Sequence, residues 1–143
     1  AAAAEEGQRR GPPPPTLIAF NIMTSPLPTT QSLIQLTSHG LTAANFAEKE
    51  APVPKISDSQ LLIKVAFAGV NPVDAKHARG DFGAWTIGQT QGRECSGTVV
   101  AVGPAVREAG SFAVGDEVMA YCDGKEWAMV PGAFAQCTLT QPL

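Results

Sequence analysis

A mostly β domain, of barrel or sandwich type, is predicted by three features of this sequence. Glycines divide the second half of the chain into short apolar runs, since 11 of the 14 glycines lie between Gly69 and Gly132. Within those runs apolar and polar residues alternate, as they do in a strand that buries one face. One short segment, residues 71–80, stands out as a helix because it carries both a start and a stop signal.

The composition separates a tail from a folded domain. The 143 residues are 44% hydrophobic and 16% charged, which is typical of a globular protein. Six of the 12 prolines and an alanine tract fall within residues 1–29, which we expect to form a disordered Ala/Pro-rich tail. Residues 30–143 are the expected domain. A net charge of −3 without a basic block, and no long charge-free apolar run, predict neither nucleic acid nor membrane partners.

Period-two patterns predict the strands. Residues 32–37 and 41–48 are expected to form a hairpin around a turn at 38–40. Further strands are expected at 60–70, 97–103, 116–121 and 133–140, with a turn at Gly115–Asp116.

The strand at 60–70 is predicted most clearly in the chain. Leu61, Ile63, Val65 and Phe67 are expected on its buried face, with Lys64 on the other.

The predicted helix follows this strand directly. Asn71 suits the N-cap, Pro72 the first helical position, Asp74 the third, and Gly80 a left-handed C-terminus. Its polar groups would therefore project from the end of a rigid sheet, where functional sites are commonly built.

The metal-binding residue types have the wrong spacing for a zinc site. His39 and His77 have no cysteine or second histidine three to five residues away, and Cys95, Cys122 and Cys137 form no CxxC pair. We therefore expect no metal site, surface histidines, and cysteines that act as small apolar residues.

Other catalytic motifs are absent from the sequence. No G-x-G-x-x-G phosphate loop occurs, and Ser96 directly precedes Gly97 rather than standing between two glycines as in G-x-S-x-G. What remains is the predicted helix. Lys76 there is either a solvated lysine or a cation that stabilises an oxyanion, and Asn71 is either a cap alone or a site residue as well.

Three ordered segments resemble a known family: IKVAFAGVNPVDAKHARGDF (63–82), GRECSGTVVAVGPAV (92–106) and FAVGDEVMAY (112–121). They are similar to the N-terminal GroES-like domain of the medium-chain dehydrogenase/reductase superfamily over roughly residues 30–143. The resemblance implies a GroES-like partly open β-barrel with one or two short helices. It also implies that Glu94 contributes to the turns and packing of the barrel.

The residues at two positions indicate which subgroup of this superfamily the chain resembles. Zinc-dependent alcohol dehydrogenases carry a cysteine where this chain has Asn71 and a histidine where it has Arg93. The pattern instead resembles the zinc-independent quinone oxidoreductases, and NPVDAK resembles the enone and alkenal oxidoreductases among them. This implies NADPH as cofactor, no zinc, Lys76 and Asn71 as catalytic residues, and Asn71 and Val73 against the nicotinamide.

Family members continue into a Rossmann domain that binds most of the dinucleotide. The resemblance therefore implies a fragment or truncated product, inactive alone, of a cytoplasmic enzyme that reduces quinones or enones by hydride transfer. A targeting role for the tail and a homo-oligomer of the full-length enzyme stay open. The alternative is a stand-alone GroES-like binding or interaction module without turnover.

Overall fold

The computed structural model describes residues 26–122 and 132–142, and within them the chain is mostly β, as predicted. An antiparallel pair, β1–β2, stands beside a four-stranded antiparallel sheet in the order β5-β4-β3-β6. The strands are β1 (Thr30–Leu36), β2 (Phe46–Pro52), β3 (Leu61–Gly69), β4 (Glu94–Val102), β5 (Glu117–Tyr121) and β6 (Cys137–Thr140). The described part also holds two short helices, α1 (Pro72–Arg79) and α2 (Pro104–Ala109).

The two sheets meet through single bridges rather than continuous ladders. Leu33 of β1 pairs with Ala135, and Gln35 pairs with Thr90. This closes the hairpin over the larger sheet and gives the curled half-barrel of the expected fold. No helix in the described ranges is long and apolar enough to cross a bilayer. Residues 1–25 of the predicted tail lie outside the described residues, so the tail stays a prediction.

The hairpin forms, but its second strand begins later than predicted. We expected the return strand at 41–48, whereas β2 begins at Phe46. Asn45 explains the delay: its side-chain oxygen accepts from the Thr42 N–H at 3.1 Å, and its amide donates to the Ser38 hydroxyl and the His39 carbonyl. These local bonds hold a 3-10 turn where the alternation alone indicated a strand.

Strand β3 buries a continuous run at its start rather than alternate residues. Leu61, Leu62 and Ile63 are all buried, because the strand is central and the structure covers both of its faces. Leu61 packs with Val99, Val102 and Val106 of α2, while Leu62 packs with Cys137 and Leu139 on the other side.

The prediction that Phe67 is buried is wrong: 77% of the residue is exposed. The pairing of β3 with β4 shifts register between Leu62 and Ile63 and again between Val65 and Phe67. Because side chains alternate along a strand, such a shift changes which face a residue occupies.

Candidate functional site

Helix α1 begins at the end of β3 through contacts between neighbouring residues. Asn71 is the N-cap with an extended backbone, and its N–H donates to the Asp74 carboxylate at 2.7 Å. Pro72 occupies the first turn, and Gly80 ends the helix with φ 88°. The helix predicted from these residues is confirmed, with both of its ends capped as expected.

The two faces of α1 have different environments. Asp74, His77 and Ala78 are buried; His77 contacts Phe82 and Arg93, and the Ala78 carbonyl accepts a hydrogen bond from the Gly40 N–H. Val73 is half-buried and Lys76 is exposed, and because they are three residues apart they share the open face. The ammonium of Lys76 forms no hydrogen bond or ion pair with the other described residues, but its charge helps to lower the pKa of Asp81, after the Arg79 hydrogen bond.

The Asn71 side chain contacts the start of β4. The register places Gly69 opposite Glu94, and Asn71 Nδ2 donates to Glu94 Oε2 at 3.2 Å. We expected Glu94 to serve packing; instead it is exposed and accepts this hydrogen bond. The amide of Asn71 thus joins α1 to the sheet edge as well as capping the helix.

Arg93, immediately before β4, joins α1 to β5. Its Nη2 donates to His77 Nε2 at 3.4 Å, and its Nη1 donates to the Tyr121 hydroxyl at 3.1 Å. Tyr121 lies opposite Glu94 in the register, so the guanidinium and the Asn71–Glu94 pair are adjacent. We call Asn71, His77, Arg93, Glu94 and Tyr121 the polar cluster.

Sequence reasoning missed most of the polar cluster. In the sequence, Arg93 stands out only as the residue that replaces a zinc-binding histidine. Tyr121 is predicted only as the last residue of a strand. One available signal was the length of Arg93 next to a half-buried strand, because an arginine can lay its apolar stem along apolar surface while its guanidinium reaches polar groups.

His77 is buried, which corrects the expectation of a surface histidine. Burial lowers the pKa of the imidazole, and the Arg93 charge lowers it further, so the ring is neutral at pH 7. Its edge packs on Phe82 with ring centroids 4.9 Å apart. The Thr86 hydroxyl lies 3.3 Å from the His77 carbonyl oxygen and 3.2 Å from Nε2 of the exposed His39.

The cluster provides hydrogen-bond donors beside an open helix face. No three His, Cys, Asp or Glu side chains converge as metal ligands within the described ranges. Of the predicted site residues, Asn71 lies in the polar cluster, whereas Val73 and Lys76 lie on the open face of α1 next to it.

Comparison with known proteins points to one family. The alcohol dehydrogenase GroES-like domain family matches residues 57–142. The chain is 38% identical over 100 residues to the trans-enoyl reductase ffsC of Aspergillus flavipes, covering 70% of this chain and 26% of that protein. It is 43% identical over 75 residues to the chloroplastic NADPH-dependent alkenal/one oxidoreductase of Arabidopsis thaliana, covering 51% and 19%.

A solved structure agrees with this assignment. The quinone oxidoreductase from Coxiella burnetii superimposes with a TM-score of 0.66 at 25% identity, covering 79% of this chain and 35% of that one. The chain thus spans only about a fifth to a third of the length of these relatives. The family match extends over more than half of the chain and includes α1 and the polar cluster. The chain therefore belongs to the alcohol dehydrogenase GroES-like domain family, the N-terminal domain of the medium-chain dehydrogenase/reductase superfamily.

Proposed function

We propose that this chain is the substrate-side domain of a zinc-independent, NADPH-dependent reductase of α,β-unsaturated carbonyls or quinones. The observation that carries the proposal is the open face of α1, where Val73 and the exposed Lys76 stand beside the polar cluster. The names of the similar proteins agree: a trans-enoyl reductase, an alkenal/one oxidoreductase and a quinone oxidoreductase.

The residues at the start of α1 suit the nicotinamide end of the cofactor. Val70, which is 82% exposed, and the half-buried Val73 offer apolar surface to a planar ring. Asn71 offers a carboxamide between them. The sequence has no G-x-G-x-x-G loop for the phosphates, so that end of NADPH would be bound by a second domain. When bound, NADPH supplies the hydride.

Lys76 has the charge that the reaction requires. Reduction of an enone or quinone leaves negative charge on the carbonyl oxygen, and a positioned ammonium stabilises that charge and then supplies the proton. At the positions where zinc-dependent relatives place ligands, this chain has an amide, Asn71, and a guanidinium, Arg93. Neither is a zinc ligand of the usual type, so Lys76 takes over the stabilisation of the oxygen.

The proposal also includes the domain boundaries, the cellular compartment and the kind of substrate. Residues 30–143 form the substrate-side domain, residues 1–29 form a tail, and the rest of the cofactor site lies in a Rossmann domain outside these 143 residues. The complete enzyme acts in the cytoplasm on small-molecule substrates.

Lys76→Met in the complete enzyme, natural or rebuilt by fusion to a NADPH-binding domain, tests the role of the ammonium. The variant keeps the length and helix propensity of the side chain but removes its charge. We expect kcat/KM for enone reduction to fall about a hundredfold, the effect of losing one such electrostatic contact, with thermal stability nearly unchanged.

Lys49→Met is the matched control, because Lys49 is an exposed lysine on β2 away from α1. It should leave kcat/KM unchanged. Activity of Lys76→Met within about threefold of wild type would reduce Lys76 to a surface residue. An equal loss of activity and stability would give it a structural role.

A binding module without turnover is the second candidate. Phe67 and Met119 lie opposite Ser96 from either side of β4, and they are 77% and 90% exposed. An exposed apolar row of this kind is typical of contact surfaces. Absence of enone and quinone reduction by the complete protein with NADPH would favour this candidate over the reductase.

A further inference from the structure

Two cysteines come together beneath the polar cluster. Cys95 lies in β4 opposite Ala120 of β5, and the ladder continues past β5 because the Cys122 N–H donates to the Arg93 carbonyl at 2.5 Å. Cys122 is therefore the diagonal neighbour of Cys95, and both side chains are on the inner face of the sheet. Cys122 packs against the core cluster that Cys95 forms with Ile63 and Ala133.

The two thiols differ in exposure and in proton affinity. Cys95 is 6% exposed, whereas Cys122 is half-buried. A hydrogen bond between the thiols lowers the pKa of Cys122 and raises that of Cys95. The Thr138 hydroxyl also donates to Cys122 Sγ at 3.7 Å. Cys122 is thus the more exposed residue of the pair and has the more readily ionised thiol, and it packs against Cys95.

We propose that Cys95 and Cys122 form a peroxide-oxidisable dithiol that closes to an intramolecular disulfide. The Cys122 thiolate attacks one oxygen of a hydroperoxide; the O–O bond breaks, and the other oxygen leaves and is protonated. Cys95 sulfur then attacks the sulfenic acid sulfur, so that the S–S bond forms, the S–O bond breaks and water leaves with the Cys95 proton. With hydrogen peroxide, two thiols give one disulfide and two waters.

A disulfide between Cys95 and Cys122 would change the structure next to the polar cluster. It links the first residues of β4 to the residue that follows β5, and Arg93 and Tyr121 of the polar cluster stand directly beside its two ends. Disulfide formation requires Cα atoms about 4.4–6.8 Å apart, whereas diagonal neighbours lie about 7–8 Å apart, so closure requires the backbone to move. Closure therefore draws the two strand ends together next to the site. This inference does not rest on the proposed function.

The full 143-residue chain, reduced and then treated with hydrogen peroxide, tests the proposal. Trypsin separates the three cysteines into peptides 94–107, 108–125 and 126–143. Non-reducing mass spectrometry should show 94–107 joined to 108–125. Thiol titration should fall from three to one and return to three with dithiothreitol.

Three variants identify the role of each sulfur. Cys137→Ser is the matched control, since Cys137 is buried in a different core cluster, and it should form the disulfide at the wild-type rate. Cys95→Ser should leave a sulfenic acid at Cys122 that dimedone traps. Cys122→Ser should lose the rapid oxidation.

Some results would overturn the proposal. A disulfide that includes peptide 126–143, disulfides only between molecules, or three thiols that persist while the chain remains folded would each do so. The mapping uses the wild-type chain, so it stands even if a serine variant fails to fold.

Discussion

His77 remains neutral near pH 7 because its ring is buried beside the Arg93 guanidinium. A neutral ring accepts a hydrogen bond from Arg93 at Nε2, and Arg93 in turn donates to Tyr121. Protonation of the ring would place two cations in contact under the sheet edge. The polar cluster therefore depends on one uncharged imidazole.

This arrangement predicts a pH dependence of stability. The pKa of His77 is lowered in the folded protein from the ordinary 6.5, so below about pH 6.5 the unfolded chain binds more protons than the folded one. Stability therefore falls as the pH falls through 6.5 toward the folded pKa. The slope from one such group is at most about 1.4 kcal/mol per pH unit.

His77→Gln removes the titrating group and keeps a polar side chain at the position. Urea unfolding at about pH 7.5, 6.5 and 5.5 should show a smaller loss of stability in the variant than in the wild type. If both proteins lose the same free energy of unfolding between pH 6.5 and 5.5, His77 is not the source of the pH dependence.

At the scale of elements, the close approach of β3 and β4 depends on one glycine. A Cβ on Gly97 would lie 2.1 Å from the Lys64 carbonyl oxygen and 2.9 Å from Ile63 Cγ2. Ile63 is fully buried, and the carbonyl is part of the backbone, so neither atom can move aside cheaply. The strand pair that leads into α1 therefore requires the absence of a side chain at Gly97.

Gly97→Ala should destabilise the chain by about 2–3 kcal/mol, measured as the free energy of unfolding in urea. Gly110→Ala is the comparison: its Cβ would meet nothing within 4 Å, but φ 69° makes it cost about 1 kcal/mol through backbone strain. Equal losses in the two variants would mean that crowding between β3 and β4 is not the cause.

In the whole molecule, the position of the proposed cofactor contacts determines how tightly the isolated chain can bind NADPH. The residues that we propose for NADPH, Asn71 and Val73, are at one end of α1 and would contact only the nicotinamide, whereas the phosphates of a dinucleotide bind at glycine-rich loops before helix N-termini. No glycine-rich phosphate loop occurs in the sequence.

The isolated 143-residue chain should accordingly bind NADPH with a Kd no tighter than about 1 mM in calorimetry. Fusion to a NADPH-binding domain should restore tight binding. A micromolar Kd for the chain alone would show that these residues hold a phosphate site that the sequence motifs do not reveal.

Features that depend on neighbouring residues could be predicted from the amino-acid sequence. The start and end of α1 follow from Asn71, Pro72 and Gly80, because capping acts through backbone groups within one turn. The mostly β class follows from the alternation and the glycine spacing, and the family from three ordered segments.

Contacts between residues that are distant in the sequence could be seen only in the folded chain. The register shifts of β3 expose Phe67, and the antiparallel ladders bring Arg93 to His77 and Tyr121, which are 16 and 28 positions away. Cys95 and Cys122 meet for the same reason. Strand register is set by the sum of contacts along both partners and by bulges within them, and no short stretch of sequence contains that sum.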